Sequence, residues 1–380
     1  MHSLSGNSLG AEGAAALAPA LTANGGLTSF NLSGNNLTHY GRDMTGITEL
    51  ATALGLNVRL MALDLSFNYL KDEGVSAVCE AIQSNKETKL ASLNFGYNAI
   101  GPVGAKSVAA MVSAAGGLTE LSINGNQIGD EGVGAICEAI QSNKETKLAS
   151  LNFGKNDNGP VGANAVAALI AVTGSVTSLS LAENELGDEG AEALLIGLKE
   201  NKSLTTLDLS GKGYGDGLIG SRGVTALASA ISVNGGLMSV ELRGNRLGDE
   251  GWGTIFAAIC GNKDSKIMSL DARASENIGP AGVKLIAEAL RTSVTGGLTS
   301  LDLSNNLLCG VTTFGSGTYT AEGITAIAEA LRVNGGLTSL NLCYNQLCGL
   351  DDHGRGTYTA VGITAIADAL RVNGALTKIE

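Results

Sequence analysis

The stretch LMALDLSFNYL at residues 60–70 carries leucine at its first, fourth, sixth and eleventh positions and asparagine at its ninth. The same spacing returns along the chain with substitutions, as in LTELSINGNQI at 118–128 and LTSLNLCYNQL at 337–347. Eleven full copies start 28 to 39 residues apart, and a partial copy lies at each end. Self-similarity at such a period is typical of a repeat protein, so we expect eleven full units and two partial ones.

Each unit is predicted to form a short strand, a turn and a helix. The alternating leucines suit a strand with one buried face, and between the leucine lines apolar residues such as Val133, Ile136 and Ile140 recur at helical spacing. One unit cannot bury its own apolar face, but stacked units can. The sequence therefore predicts an α/β fold. Because stacked strands lie closer together than packed helices, the array is expected to curve into a horseshoe solenoid. Its parallel sheet lies on the concave side and its helices on the convex side, and it forms one domain over residues 1–380.

An asparagine lies at the turn after the strand in nearly every unit. Its side chain can bond backbone groups that a bent chain leaves unpaired, so we expect a structural ladder of asparagines, interrupted at Lys212 and Ser275. The predicted ladder contains Asn35, Asn68, Asn98, Asn126, Asn156, Asn184, Asn245, Asn306 and Asn345.

The pattern L-x-x-L-x-L-x-x-N-x-L, a G-D-E-G helix start as at 129–132 and a period of 28–30 residues together resemble the ribonuclease-inhibitor-like class of leucine-rich repeats. That class also includes Ran GTPase-activating proteins and the sensor arrays of NOD-like receptors. The resemblance implies the solenoid fold across nearly the whole chain. It does not imply one activity, because a repeat architecture hosts many functions.

The composition argues against several kinds of partner. A formal net charge of −12 disfavours nucleic acid, whose phosphates need clustered Lys and Arg. The chain has no apolar run of about 18 residues, so we expect no membrane insertion. The opening MHSLSGNSLG lacks the pattern of a secretory signal. We therefore expect an intracellular protein, cytoplasmic or within an organelle, with reduced cysteines; a disulfide between Cys309 and Cys348 remains the alternative.

Catalytic, cofactor and metal sites are not predicted, and we do not expect an enzyme. The three histidines fall outside the regular repeat cores, and D-D-H at 351–353 lacks a matched ligand elsewhere. The motif G-x-G-x-x-G at 215–220 follows a strand and precedes a helix, as a dinucleotide site requires. It nevertheless occupies the turn of an enlarged unit, so we interpret it as a chance match.

Two surfaces are predicted to contact a partner protein of unknown identity. On the concave face, side chains beside and just after the second leucine point outward; the candidates are Phe67, Tyr97, Lys155, Glu183, Asp208, Glu241, Arg243, Asp271, Arg273, Asp302 and Tyr344. On one rim, the enlarged turns of the two longest units supply Phe314, Tyr319, Arg355 and Tyr358.

These features predict a non-enzymatic protein–protein interaction scaffold, with an accessory subunit of a larger complex as one form of it. The alternatives are a GTPase-activating protein of the Ran-directed type and the sensor repeat array of a larger receptor. Because both ends of the chain fall inside a unit, we expect the terminal repeats to be covered by a partner or by further chain.

Overall fold

The structure is a computed structural model that describes residues 2–215, 217–273, 278–293, 297–312 and 314–380. The chain divides into two compact units, residues 1–184 and 185–380, which we call the first and second units of the chain. A single strand–turn–helix copy is called a repeat from here on. The turn position at Ser275 lies outside the described residues. The prediction of a single domain over 1–380 stays a prediction.

Short parallel strands run in chain order through the described part of each unit. The first unit contains β1 (His2–Ser3), β2 (Ser29–Asn31), β3 (Ala62–Asp64), β4 (Ser92–Asn94), β5 (Glu120–Ser122), β6 (Ser150–Asn152) and β7 (Ser178–Ser180). The second unit contains β8 (Thr206–Asp208), β9 (Ser239–Glu241), β10 (Ser269–Asp271), β11 (Ser300–Asp302), β12 (Ser339–Asn341) and β13 (Lys378–Ile379).

A helix follows almost every strand, and consecutive helices within a unit pack side by side. The first unit contains α1 (Gly10–Ala23), α2 (Thr45–Leu56), α3 (Lys71–Ser84), α4 (Pro102–Ala114), α5 (Gly129–Ser142) and α6 (Pro160–Val172). The second unit contains α7 (Gly187–Glu200), α8 (Ser221–Ile231), α9 (Gly248–Gly261), α10 (Pro280–Arg291), α11 (Glu322–Leu331) and α12 (Val361–Leu370). The predicted α/β leucine-rich-repeat solenoid is confirmed within each unit.

The leucine pattern sets the register of the sheet. Leu63 of β3 pairs with Leu93 of β4, which pairs with Leu121 of β5. All three are buried, whereas the residues on either side of each are partly or fully exposed. Each strand therefore adds one buried side chain to a continuous apolar layer, and its flanking residues form the strand face on the other side.

The turn asparagines join each repeat to its neighbours through side-chain amides. The Oδ1 atom of Asn68 accepts the backbone N–H of Asn35, 3.0 Å away in the preceding repeat. Its Nδ2 donates to the carbonyl of Leu32 at 2.9 Å and to that of Leu65 at 3.0 Å. All nine asparagines of the ladder are buried. Their amides satisfy backbone groups that the chain leaves unpaired where it turns from strand to helix.

A second set of asparagines, which the sequence analysis missed, lies where the helices end. Nδ2 of Asn85 donates to the carbonyls of Leu54 at 3.1 Å and Asn57 at 2.8 Å, both in the preceding repeat. Its Oδ1 accepts the N–H of Glu87. The same bonding to the preceding repeat recurs at Asn57, Asn143, Asn234, Asn262, Asn334 and Asn373. The repeats that carry such an asparagine are therefore tied to the preceding repeat where their helix ends.

Helix starts that read K-D-E-G in α3 and G-D-E-G in α5, α7 and α9 alternate with helix starts that follow a glycine and, in three of four cases, begin on proline. Oδ1 of Asp72, in α3, accepts the N–H of Gly101 at 2.7 Å and of Gly104 at 2.9 Å at the start of α4. Matching bonds run from α6 to Asp130, from α8 to Asp188 and from α10 to Asp249. An aspartate on one helix thus caps the next, which fits the preference of helix N-termini for negative charge.

One position in the first unit breaks the apolar pattern. Asn158 stands where the duplicated block 79–96 is followed by Ile100, and both side chains are fully buried. Neither Oδ1 nor Nδ2 of Asn158 has a hydrogen-bond partner, and Oδ1 of the adjacent ladder residue Asn156 also lacks one. Buried polar atoms without partners cost free energy, so this repeat is a local weakness.

Replacing Asn158 by isoleucine is expected to raise the free energy of unfolding by about 1–3 kcal/mol, because two unpaired polar atoms leave the core. The shift of the urea midpoint at constant m-value measures the gain. The reverse exchange, Ile100→Asn, is the matched control and should lower the midpoint. An unchanged or lower midpoint for Asn158→Ile would show that the amide is satisfied in solution.

Candidate interaction surface

The residue just before each turn asparagine faces out of the fold. In the first unit this position holds Gly6, Gly34, Phe67, Tyr97, Gly125, Lys155 and Glu183. All seven have positive φ, between 54° and 72°. That left-handed conformation favours glycine and strains other side chains. Four of the seven positions nevertheless carry large side chains.

Two of these side chains form a parallel aromatic stack. The ring centroids of Phe67 and Tyr97 lie 4.3 Å apart, with 8° between the ring planes. The Tyr97 ring lies over Gly125, where an added Cβ would sit 2.7 Å from the ring. Lys155 Nζ is 5.6 Å from the Tyr97 centroid and 3.6 Å from a carboxylate oxygen of Glu183. The structure thus brings four predicted contact residues together with Gly125, and we call these five residues the aromatic row.

A second aromatic pair borders the same surface and was not predicted. Tyr69 follows ladder residue Asn68, and its ring lies 5.2 Å from that of Tyr40, in the enlarged turn of the preceding repeat. Tyr69 and the aromatic row enclose a groove of about 580 Å³, lined by Phe67, Tyr69, Tyr97, Gly125, Lys155 and Asp157. The signal for Tyr69 was its place just after the asparagine, a position the sequence analysis did not treat as outward-facing.

The strand face of the second unit carries a line of carboxylates. Asp208 pairs in register with Glu241, and Asp271 pairs with Asp302. Burial, together with the charges of Asp271 and Asp208, raises the pKa of Glu241, while Arg243 and Arg273 oppose that rise.

Much of this charge is used within the fold. Oδ1 of Asp302 accepts both the N–H and the hydroxyl of Ser304, and Asp208 bonds Ser210 in the same way. Arg273 lies 3.0 Å from Asp271. Tyr344, at the turn position in this unit, is exposed and has φ of 57°. The strand carboxylates therefore lie on one face of the sheet.

The two long rim loops are joined by Arg355, whose side chain Asp351 holds in place. The Asp351 carboxylate accepts the N–H groups of His353 and Arg355 and lies 2.6 Å from Arg355 Nε. The Arg355 guanidinium also donates to the carbonyl of Phe314 in the other loop. Burial alone would raise the pKa of Asp351, but the hydrogen bonds from Arg355 and His353 hold it below its usual value.

The predicted rim residues have different surroundings. Phe314 and Tyr358 are exposed at 77% and 64%, and Arg355 is exposed while bridging the loops. Tyr319 is half-buried, and its hydroxyl donates to the carbonyl of Leu347. The fold thus gives Tyr319 a structural contact that the sequence analysis did not foresee.

The G-x-G-x-x-G motif has no room for a phosphate at its helix start. The N–H groups of Gly220 and Gly223 both donate to Oδ1 of Asp188. An added Cβ on Gly217 would lie 2.7 Å from the backbone of Glu185. Gly217 therefore serves close packing, and the carboxylate of Asp188 occupies the position of an anion at the helix start.

The cysteines are free thiols, and most are buried. Cys79 and Cys137 lie in the core, since each is 1% exposed. Burial, and secondarily the charge of Glu138, raises the pKa of Cys137 to about 12. In the part of the chain that the structure describes, no cluster of three or more His, Cys, Asp or Glu is arranged to hold a metal ion. Over the same residues, no helix combines the length and apolar character that crossing a membrane requires.

Replacing Phe67 or Tyr97 by glycine should change the free energy of unfolding by less than about 1 kcal/mol. Relief of the left-handed strain, worth about 1–2 kcal/mol, offsets the lost stacking of about 0.5–1.5 kcal/mol. Urea unfolding measures the change. The control is Phe95→Ala, at a buried ring of the same repeat, which should cost about 3–5 kcal/mol. A Phe67→Gly loss as large as that of the control would make the aromatic row part of the structural core.

The rim loops should loosen in acid. Because the pKa of Asp351 is lowered in the folded protein, its contribution to stability is present above the ordinary pKa of about 3.9. That contribution is lost as the pH falls below this value, through the folded pKa. Amide hydrogen exchange across residues 348–359, corrected for intrinsic rates, should rise in that range. Asp351→Asn should show the faster exchange already at neutral pH, and Asp352→Asn, at an exposed neighbour, should not. Equal protection from hydrogen exchange in the Asp351→Asn variant and the unmodified chain would contradict the role of Asp351 in holding Arg355.

The chain is similar over part of its length to a human protein. A stretch of 84 residues is 43% identical to human NACHT, LRR and PYD domains-containing protein 13. It spans 22% of this chain and 8% of the length of that protein. Among solved structures, the leucine-rich-repeat-containing protein LegL7 from Legionella pneumophila is 16% identical, with 93% of this chain and 92% of that one covered and a TM-score of 0.44. The actin-binding site 2 of leiomodin-1 is 19% identical over 41% of this chain and 87% of its own, with a TM-score of 0.35.

The family model described as Leucine Rich repeat matches four stretches, residues 57–79, 86–109, 118–137 and 175–195. These stretches cover strands and helix starts of the repeats described above. The strand–turn–helix repeat and its buried turn asparagine extend the same pattern beyond the matched residues. The chain therefore has the leucine-rich-repeat fold, and its repeats resemble those of the ribonuclease-inhibitor-like class.

Proposed function

We propose that this chain is a non-enzymatic scaffold that binds a partner protein through the aromatic row and its groove. The observation that carries the proposal is the conformation of Phe67 and Tyr97. Both hold left-handed backbone at a turn position that neighbouring repeats fill with Gly34 and Gly125. Strain that the fold can avoid is typical of sites kept for binding.

The chemistry of the surface supports a protein as the partner. Phe67 is 53% exposed and Tyr69 is 45% exposed, and exposed aromatic side chains are the commonest anchors of protein interfaces. Charged side chains border them at Lys155, Asp157 and Glu183. An apolar centre with a charged border is the usual anatomy of such an interface.

The ionisable groups support binding more than catalysis. The carboxylates of Asp351 and Glu322 have lowered pKa values. Each is engaged by donors of the chain itself, Asp351 by its own loop and Glu322 by Lys284. Among the described carboxylates, a raised pKa occurs at Glu241, which lies on the flat strand face outside the groove. A catalytic acid or base is instead tuned within a cleft.

Proximity labelling in the native cell, with the labelling enzyme fused to the full chain, tests the proposal. The double variant Phe67→Gly/Tyr97→Gly should lose about nine-tenths or more of the labelling of specific partners, because two central aromatic anchors disappear. The control Tyr214→Gly removes an exposed tyrosine of the second unit and should keep the labelled set. Retention of that set by the double variant would refute the aromatic row as the binding surface.

The human relative favours a second candidate, the repeat array of a larger multidomain protein. The name of that relative includes NACHT, LRR and PYD domains, and the matched stretch is 8% of its length. The mass of the native polypeptide separates this candidate from a scaffold of 38.3 kDa. The GTPase-activating alternative stays an untested prediction.

A further inference from the structure

The outer face of Phe67 is the open end of the aromatic row. Tyr97 covers one face of the Phe67 ring at 4.3 Å, yet Phe67 remains 53% exposed. Both rings lean toward Gly125, since the Tyr97 ring occupies the space above that glycine. The uncovered face of Phe67 therefore looks toward the preceding repeat.

Space beside that open face is kept clear by glycine. The turn position of the preceding repeat is Gly34, and the one before it is Gly6. Among the described residues, the only atoms within 4 Å of a Cβ built on Gly34 belong to the backbone of Gly6. The chain therefore places no side chain of its own at this turn position, which leaves room there for a planar group against Phe67.

A carboxylate with an uncommitted oxygen lies three residues before Phe67, at the end of β3. The Oδ1 atom of this residue, Asp64, accepts the N–H and hydroxyl of Ser66. No described residue donates a hydrogen bond to its Oδ2. In the equivalent positions, Asn31 and Asn94 make the same turn contacts with uncharged amides. The turn itself therefore does not require the negative charge of Asp64.

The charge of the first unit points to a basic partner. Residues 1–184 contain 9 Lys and Arg against 15 Asp and Glu. The cation nearest the stack, Lys155, is at the far end of the row and is paired with Glu183. An incoming cation at Phe67 therefore meets a surface of net negative charge, and the Lys71 ammonium on the side of the preceding repeat donates to the carbonyl of Gly41.

We propose that an extended segment of the partner protein fills the groove and, just beyond its Phe67 end, places an arginine that stacks on the open face of Phe67 and pairs with Asp64. This inference rests on the proposed function and names the chemistry of its partner. Arginine fits better than lysine, because its planar guanidinium stacks on an aromatic face while its edge binds a carboxylate. The arginine completes a series in which two rings lie between two cations, with Lys155 at the other end.

The dimensions of the groove suit a short segment. From Phe67 to Lys155 the row crosses three strand spacings of about 4.8 Å, or about 14 Å in total. An extended chain advances about 3.3 Å per residue, so four or five residues of a partner cover the groove. Asp157 and Lys155 then lie at the end opposite the arginine.

Selection of peptides provides the test. A phage-displayed random heptapeptide library is panned on the full chain, with counter-selection on the Phe67→Gly/Tyr97→Gly variant. The enriched peptides should share an arginine. Replacing it with citrulline, which keeps the shape and removes the charge, should weaken binding about tenfold or more by fluorescence anisotropy, and lysine should weaken it less.

The variant Asp64→Asn sharpens the test, because asparagine keeps the turn contacts seen at Asn31 and Asn94. This variant should weaken binding of the arginine peptide about three- to tenfold and leave binding of the citrulline peptide unchanged. Enriched peptides that need Phe67 but tolerate citrulline would overturn the arginine assignment and leave the proposed function standing. Failure to enrich any peptide over the counter-selection would also overturn it, while proximity labelling decides the proposed function separately.

Discussion

The structure depends on hydrogen bonds that each repeat cannot make within itself. Where the chain leaves a strand, backbone groups face the interior without a strand or helix partner, and an asparagine of the neighbouring repeat supplies the missing donor and acceptor, as Asn68 does for Asn35 and Leu32. The helix ends repeat this solution at Asn85. Because both contacts join adjacent repeats, burial of leucine and satisfaction of the backbone are achieved together, and neither is available to an isolated repeat.

Because the buried asparagines and leucines hold adjacent repeats together, the residue at the outward-facing turn position is free to vary. The ladder asparagine and the leucines around it are buried, whereas the residue just before the asparagine contributes little to either layer. Glycine is the least strained choice there, as at Gly34 and Gly125, yet Phe67 and Tyr97 occupy it in adjacent repeats and stack on each other. The fold tolerates the strain of these residues because the hydrogen bonds on either side of them stay intact.

The sequence predicted the repeats, the strands and the turn asparagines, because these follow from spacing along the chain. It also placed Phe67, Tyr97, Lys155 and Glu183 on one face. It did not reveal that Tyr97 lies over Gly125, or that Tyr40 meets Tyr69. Those contacts depend on left-handed backbone and on the lean of rings between repeats, which a spacing pattern does not encode. The unpaired amide of Asn158 was missed for a related reason, since the asparagine-rich turn concealed its replacement of an apolar residue.

The aspartate that caps the following helix makes neighbouring repeats unequal. Asp72 and Asp130 lie on helices that supply a carboxylate, and α4 and α6 are the helices that receive it. Inserting a single repeat would place two helices with a capping aspartate, or two helices that need one, next to each other. One aspartate or one helix N-terminus would then lack its partner. Inserting two leaves every such contact intact. An array of this kind therefore lengthens most easily by duplicating a pair of repeats. The identical blocks at 79–96 and 137–154 lie 58 residues, or two repeats, apart, as duplication of a pair would produce.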